Sequence, residues 1–387
     1  MPDPTPAFDD ICDFRKVMAE LEIAEPLVRA LPHIWKWEDI RRRLTAADAF
    51  DLSKIHRRAF ALCNPGLGGR PAVATTLFAS VSVYYPGDHA PVHRHTPSAS
   101  RFALEGAGGY TNVAGEKLAM SRGDLVLTPN GEWHDHGNDG DEPVFWIDVL
   151  DAPLIEHLNG IMTEWDYFEQ DPASNSREPV KRSTQSVSRP AGYSEALFAG
   201  AGLVPRFGGE GRLGRRFTPK YMYRAAEVRA AQERLSREPG SPYDGIVLEY
   251  ADPTSGAPVV PTLSFRSQLL RPSEATWRRR RTASTVYCVL EGRGATEVGE
   301  RRLEWSRNDV FVVPGWMWHR HCNSDARADA ILYSVSDTPT LAKLGVLRDQ
   351  GMTPEGQIED LAPWPEFGPD IPFRGAATSA IFPPSRP

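Results

Sequence analysis

The sequence predicts an all-β protein with two β-barrels or jelly rolls in one chain, helices ahead of the first barrel and a long connecting segment between the two. Three observations carry this reading. Short runs rich in β-branched and aromatic residues, such as Thr75 to Tyr85, Ser98 to Leu104, Asp124 to Thr128 and Val144 to Leu150, are separated by Gly, Pro and Asn turns. The 34 prolines and 32 glycines supply the breakers that many short strands need. The β pattern also occurs twice: Thr96-Pro97-Ser98 through Leu104-Glu105-Gly106 aligns without gaps with Thr282-Ala283-Ser284 through Leu290-Glu291-Gly292, and Pro129 to Asn138 aligns with Pro314 to Asn323. The offset is 186 residues for the first block and 185 for the second, so a single deletion separates the copies.

In chain order, residues 1–70 read as a mostly helical elaboration, with apolar residues at three- and four-residue spacings in Asp9 to Glu25 and Trp37 to Ala47, broken by Pro26 and Pro32. Residues 71–168 form the first barrel. Residues 169–245, rich in Ser, Pro, Gly and Arg and including the run Gly208 to Arg216, read as a connection with a few helical turns. The second barrel follows over 246–340. Residues 341–387, with eight prolines after Met352, read as an extended tail that packs over another surface.

A chain of 387 residues with 41% hydrophobic composition is long enough for two domains with well-formed cores. A net charge of −7 and a pI near 5.9 argue against nucleic acid or an acidic membrane as partner and leave small molecules as the expected targets. The four cysteines, Cys12, Cys63, Cys288 and Cys322, show no CxxC spacing, which suggests reduced thiols in an intracellular protein. Met1 to Pro6 has neither a basic nor an apolar leader segment, and no run of about eighteen apolar residues occurs later, so a soluble cytoplasmic protein is expected.

The chemistry is concentrated in His93-Arg94-His95 and Trp133-His134-Asp135-His136. On an extended strand residues i and i+2 share a face, so His93 and His95 can grip one ion together while Arg94 points away, and His134 supplies a third imidazole. The frame Gly87-x5-His93-x-His95 to Gly106, then Gly123-x5-Pro129-x-Gly131-x2-His134-x3-Asn138, resembles the two-part signature of the cupin superfamily, which makes the chain a bicupin. Cupins commonly place a glutamate shortly after the second histidine; here Ala99 and Ser100 stand there. Glu105 is no substitute, because ten strand residues at roughly 3.3 Å each would put it about 33 Å away on a straight strand. Three neutral imidazoles would leave a divalent ion its full charge and open positions, which favours an anionic chelating substrate; spacing alone does not choose among iron, zinc, copper and nickel.

The second copy departs at the metal positions. Arg279 and Arg281 replace His93 and His95, so only His319 of a triad remains, and a guanidinium does not ligate metals. The second barrel is therefore expected to be metal-free. Salt bridges to a neighbouring element or subunit are the favoured role for the Arg278 to Arg281 run, with an anion site as the alternative.

The stretches Pro86 to Thr96, Arg101-Phe102, Glu105-Gly106, Gly123-Asp124-Leu125, Thr128-Pro129, Trp133 to Asn138 and Asp148 to Asp151 resemble the gentisate 1,2-dioxygenase family, which includes salicylate and 1-hydroxy-2-naphthoate dioxygenases. The resemblance implies Fe(II) on His93, His95 and His134, and oxygen-dependent cleavage of an aromatic ring between the carboxylate-bearing and hydroxyl-bearing carbons. The partners would be a small aromatic carboxylate and O2, with a homo-oligomer, often a tetramer, as the assembly. An ortho-hydroxybenzoate fits such a centre because its phenolate and carboxylate oxygens can chelate one ion. Arg101, six residues beyond His95, is expected on the metal side, where its planar fork can pair with a substrate carboxylate. His136 shares a face with His134 and reads as a supporting donor or proton shuttle. Arg57 matches a family arginine at the pocket edge, with a surface arginine as the alternative. Asp148 either orients a pocket residue or caps a strand. Phe78, Ser80 and Ser82 share one strand face and are expected to line the pocket; family members commonly carry glycine and glutamine where Ser80 and Ser82 stand. That change predicts tolerance of, or preference for, a ring other than plain gentisate, such as a substituted salicylate or a fused hydroxynaphthoate. The competing readings are a zinc cupin with isomerase or hydrolase activity and a non-catalytic ligand-binding bicupin.

Overall fold

The computed structural model describes residues 14, 18, 23–46, 58–165, 168–170, 177–179, 189–199 and 217–362. Most of the Asp9 to Glu25 helix expectation, Arg57 and the Gly208 to Arg216 run lie outside them. The first half comprises β1 (His33–Trp35), α1 (Trp37–Leu44), β2 (Arg58–Ala61), β3 (Phe78–Tyr84), β4 (His89–His95), β5 (Ala99–Glu105), β6 (Gly109–Val113), β7 (Glu116–Ala119), β8 (Leu125–Thr128), β9 (His134–Asn138), β10 (Val144–Leu150), α2 (Ala152–His157) and β11 (Thr163–Trp165). A small hairpin, β12 (Phe168–Gln170) with β13 (Arg177–Pro179), and α3 (Tyr193–Leu197) lead to β14 (Met222–Tyr223) and α4 (Ala225–Leu235). The second half contains β15 (Ile246–Glu249), β16 (Ser264–Leu270), β17 (Arg278–Arg281), β18 (Thr285–Glu291), β19 (Arg293–Val298), β20 (Arg301–Ser306), β21 (Val310–Val313), β22 (His319–Asn323) and β23 (Ala330–Ser336). Helix α5 (Thr338–Lys343), β24 (Asp349–Met352) and β25 (Ile358–Ala362) close the described chain.

Each half is a pair of sheets. The first has a back sheet ordered β14-β8-β5-β10-β3-β2 and a front sheet ordered β11-β4-β9-β6-β7; the second has β1-β21-β18-β23-β16-β15 and β20-β19-β22-β17-β24-β25. Strand β3 shows why the sheets stack as they do. Its sequence FASVSVY alternates, sending Ala79, Val81 and Val83 to one face and Ser80, Ser82 and Tyr84 to the other. The apolar face joins Phe102, Leu104, Ile147 and Val149 in a core shared with Phe265, Val286, Val312 and Val335 of the second half. The two back sheets therefore pack against each other, and the Phe102 and Tyr333 rings stack there with centroids 3.9 Å apart. The serine face looks into the first barrel.

The repeat extends beyond the barrels. Strand β1 pairs with β21 of the second half, and β14 pairs with β8 of the first. Each is followed by a helix whose first backbone N–H donates to an aspartate of the barrel it has crossed to: Trp37 N to Asp309 Oδ1 at 2.7 Å, and Ala225 N to Asp124 Oδ1 at 2.8 Å. Asp124 and Asp309 are equivalent positions of the repeat. The two halves thus exchange N-terminal arms, and a carboxylate at a helix N-terminus satisfies donors that the helix leaves unpaired.

Three expectations need correcting. His33–Trp35, in the segment expected to be mostly helical, is a strand, because its backbone completes the exposed edge of a distant barrel. Met222–Tyr223, expected in the connection, is likewise a strand of the first barrel's back sheet. Residues 349–352 and 358–362, expected in an extended tail, are strands that extend the second barrel's front sheet from β17. Among the described residues no helix is long and apolar enough to cross a membrane.

Candidate metal centre and active site

Strands β4 and β9 are neighbours in the first front sheet, and His93 lies directly opposite His134. Alternation along β4 brings His95 to the same face, so the three imidazoles converge, with ring centroids 4.3 Å apart for His93 and His134 and 4.8 Å for His95 and His134. One ligand atom from each lies within 4.8 Å of those from the other two. A three-histidine metal site is present.

The donor chemistry fits a divalent cation. Nδ1 of His93, His95 and His134 lies 2.8, 2.7 and 2.8 Å from the backbone carbonyls of Pro91, Pro97 and Glu132. A carbonyl only accepts, so each Nδ1 carries the proton and the lone pair resides on Nε2. All three tautomers are set for ligation by backbone geometry, which is how ligating histidines are usually oriented. Burial, then the neighbouring His93 and His95, hold His134 well below the usual histidine range, so it stays neutral and able to ligate.

Arg101 and Asp148 face each other on β5 and β10. Arg101 Nε donates to Asp148 Oδ1 at 2.8 Å, Arg101 Nη1 donates to Thr111 Oγ1 at 2.7 Å, and the guanidinium lies 4.7 Å from the centre of the Trp146 ring. Trp146 Nε1 donates to the other Asp148 oxygen at 3.2 Å. Thr111 lies opposite His136, on the strand face that also carries His134, so its bond to Arg101 puts the guanidinium on the metal side. The chain turns between β4 and β5, so counting six residues from His95 does not by itself decide the face of Arg101. Asp148 lies inside β10 and joins Arg101 to Trp146, so it is not a strand cap.

His136 is buried on the His134 face, its ring 5.6 Å from that of His134 and 5.4 Å from that of His93, and it lies outside the three-ligand group. Ser80 and Ser82 sit opposite Asp148 and Trp146, and Phe78 opens the same strand opposite Leu150. Ala59 and Ala61 pair with Ser82 and Ser80, so small side chains also continue that face onto β2. Glu105 is remote from the centre, accepting hydrogen bonds from Trp37 Nε1 and Asn308 Nδ2 between the barrels. Thr111, Trp146 and Trp165 escaped the sequence reading. Thr111 had a usable signal, since its repeat counterpart Thr296 is also a buried threonine, hydrogen-bonded to His321 and Trp305. For Trp146 and Trp165 the repeat offers Leu332 and Gly351, which signal nothing.

The second barrel keeps the register and changes the residues. Arg279 lies opposite His319 as His93 lies opposite His134, and Tyr287 lies opposite Ser334 as Arg101 lies opposite Asp148. Arg279 forms ion pairs with Asp244 and Asp349, and Arg281 approaches Asp349 at 3.6 Å. Burial alone would raise Asp244, but Arg279 and Arg281 overcome it and hold the carboxylate far below its ordinary range. The salt-bridge reading of the arginine run therefore describes both inward residues. Where the first barrel assembles ligands, the second contains an internally neutralised ion cluster.

The Cupin domain family matches residues 80–150 and 267–336. The chain is 36% identical over 350 residues to a 5-aminosalicylate 1,2-dioxygenase of Comamonas sp, covering 88% of this chain and 87% of that one. It is 34% identical to Gentisate 1,2 dioxygenase 1 of Aquipseudomonas alcaligenes, covering 88% and 92%. The chain belongs to the gentisate 1,2-dioxygenase family. Its fold superposes on that of a salicylate 1,2-dioxygenase from Pseudaminobacter salicylatoxidans with a TM-score of 0.75 at 31% identity, covering 89% of this chain and 94% of that one. As a member of this bicupin family it is an oxidoreductase of the ring-cleaving dioxygenase class, which incorporates both oxygen atoms of O2.

Proposed function

We propose that this chain binds Fe(II) through Nε2 of His93, His95 and His134 and cleaves an ortho-hydroxybenzoate-type acid between the carbons bearing carboxylate and hydroxyl. The observation that carries the reading is the three-histidine centre, each Nδ1 held by a backbone carbonyl, with an oriented arginine in the same barrel. Fe(II) would supply the electron pathway between the electron-rich ring and O2. Arg101, with Nε and Nη1 already engaged, presents its remaining nitrogen to the substrate carboxylate, and Asp148 and Thr111 hold that presentation fixed. His136 serves as a nearby proton donor or acceptor, and Arg57 as a pocket-edge contact.

The preferred ring is a substituted salicylate or a fused hydroxynaphthoate. Serines at 80 and 82, continued by Ala59 and Ala61, leave width along that wall and offer short hydroxyls. The named relatives act on aminosalicylate, gentisate and salicylate, a range consistent with a ring site tuned by a few wall residues. The proposed domain limits are those read from sequence, except that residues 33–35, 222–223 and 349–362 serve the barrels. The assembly is proposed as a cytoplasmic homotetramer, which light scattering checks.

Anaerobic Fe(II) loading followed by oxygen uptake with gentisate, salicylate, substituted salicylates and 1-hydroxy-2-naphthoate tests the function. Uptake stoichiometric with ring loss is expected. Purified protein that holds zinc and turns over substrate indifferently to oxygen would overturn it. Gentisate favoured by a large factor over every analogue would refute the substrate preference alone.

A further inference from the structure

The strand β11 adds an edge to the metal-bearing front sheet in a defined register: Thr163 opposite His95, Glu164 opposite Arg94 and Trp165 opposite His93. Directly opposed residues on adjacent strands share a face. Trp165 therefore emerges on the ligand face, next to the metal centre, and its ring stacks on His93 with centroids 5.0 Å apart and planes inclined by 29°. Yet the residue is 43% exposed. A tryptophan left this open beside a buried ligand has unspent aromatic surface.

The strand is firmly attached. Glu164 pairs with Arg94 at 2.6 Å on the outer face, Thr96 N donates to Met162 O at 3.0 Å, and Thr96 Oγ1 donates to Gly160 O at 2.6 Å. It is a fixed wall. The second barrel provides an internal control, because β24 is the repeat counterpart of β11 and pairs Asp349 with Arg281 and Gly351 with Arg279. The counterpart of Trp165 is thus Gly351, and a Cβ added there would collide with the Tyr243 ring at 2.2 Å. In the barrel without a triad this position is reduced to backbone and sealed by a tyrosine. In the barrel with the triad it carries a large open ring.

We infer that Trp165 is a specificity-determining residue of the first barrel, forming an aromatic wall against which the ring of the metal-chelated hydroxy acid packs. On the back sheet of the same barrel, the face formed by Ser80, Ser82, Ala59 and Ala61 is built of small side chains, and facing sheets stand about 10 Å apart. Such a slot suits a flat ring seated against indole, and ring pairs of this kind favour offset or inclined contact. The inference rests on the proposed function of the same centre and assigns the wall that chooses among its substrates.

The test is calorimetric titration of salicylate, 5-aminosalicylate and 1-hydroxy-2-naphthoate into Fe(II)-loaded protein without oxygen, for the wild type, Trp165→Ala and Trp165→Phe. Iron content and assembly size are measured in parallel. The expected result is binding weakened about tenfold in Trp165→Ala, most for the fused ring, and largely restored in Trp165→Phe, with iron content and assembly unchanged. Unchanged affinity in Trp165→Ala overturns the assignment. Loss of iron would make Trp165 a support for His93, and a smaller assembly would make its open face a subunit contact; either overturns it too. Failure of the wild type to bind any of the acids would instead sink the proposed function.

Discussion

Asp148 carries more of the site than its distance from the metal suggests. Its two oxygens accept from Arg101 and Trp146, so it acts on substrate by holding those side chains in place. Asp148→Asn keeps the shape and removes the charge, and a hydrogen bond to a charged group contributes about 1.5–3 kcal/mol. The expected outcome is a fall of roughly ten- to a hundredfold in kcat/KM for carboxylate-bearing substrates with iron content unchanged, read by steady-state oxygen uptake and metal analysis. His134→Ala has the opposite signature: iron and turnover disappear together, and an active, iron-loaded variant would refute the triad. His93 and His95 were legible in sequence because i, i+2 alternation acts within one strand, and His134 because it stands in the second of two spaced motifs. That Asp148 and Thr111 hold Arg101 was not, since the three come from different strands.

At the scale of elements, the exchanged arms decide how the halves hold each other. Each arm is a short strand and a helix, and each helix start is met by the equivalent aspartate of the opposite barrel. Asp309 also accepts from Lys36 Nζ at 2.8 Å, and Asp124 from Arg224 Nη1 at 3.1 Å. By analogy with a lost N-cap, Asp124→Ala and Asp309→Ala should each cost about 1–2 kcal/mol. Denaturant midpoints check this. A null effect for both would show the arms to be held by strand pairing alone. The barrels' repeat was visible as matched motifs, whereas the repeat of the arms was not, because Ile34-Trp35-Lys36 and Met222-Tyr223-Arg224 match only in residue character and over too few positions to stand out.

For the whole molecule, stability depends on the shared back-sheet core and on the ion cluster of the second barrel. Breaking a buried pair by removing one partner costs about 3–5 kcal/mol, so Asp349→Asn, which removes the ion pair of Arg281 and leaves Arg279 with Asp244 alone, should lower Tm markedly in a thermal melt. The cluster also imposes a pH dependence. Burial, chiefly, pulls His319 to about 4 and His321 to about 3, so the folded protein keeps them neutral while an unfolded chain takes up protons below the ordinary histidine value. Their contribution is whole above pH 6.5 and is lost as the pH falls towards the folded values. Asp151 and Asp337, raised by burial to about 6, act in the opposite sense over the acid side of that window. His321→Gln should therefore reduce the drop in Tm between about pH 7 and 5; a slope equal to that of the wild type would show that His321 does not carry it.

By itself the sequence determined the two-copy β architecture, the three ligands of one barrel and their replacement by Arg279 and Arg281 in the other. Each of these follows from strand alternation or from spacing within a repeat, which are local properties. Only the tertiary structure decided that residues 33–35 and 349–352 are strands, that Asp148 and Thr111 hold Arg101, and that Trp165 stands over His93. Those features depend on which distant backbone offers an unpaired edge and in what register it is met. A strand's own residues state which faces it has, but not which partner will cover its edge.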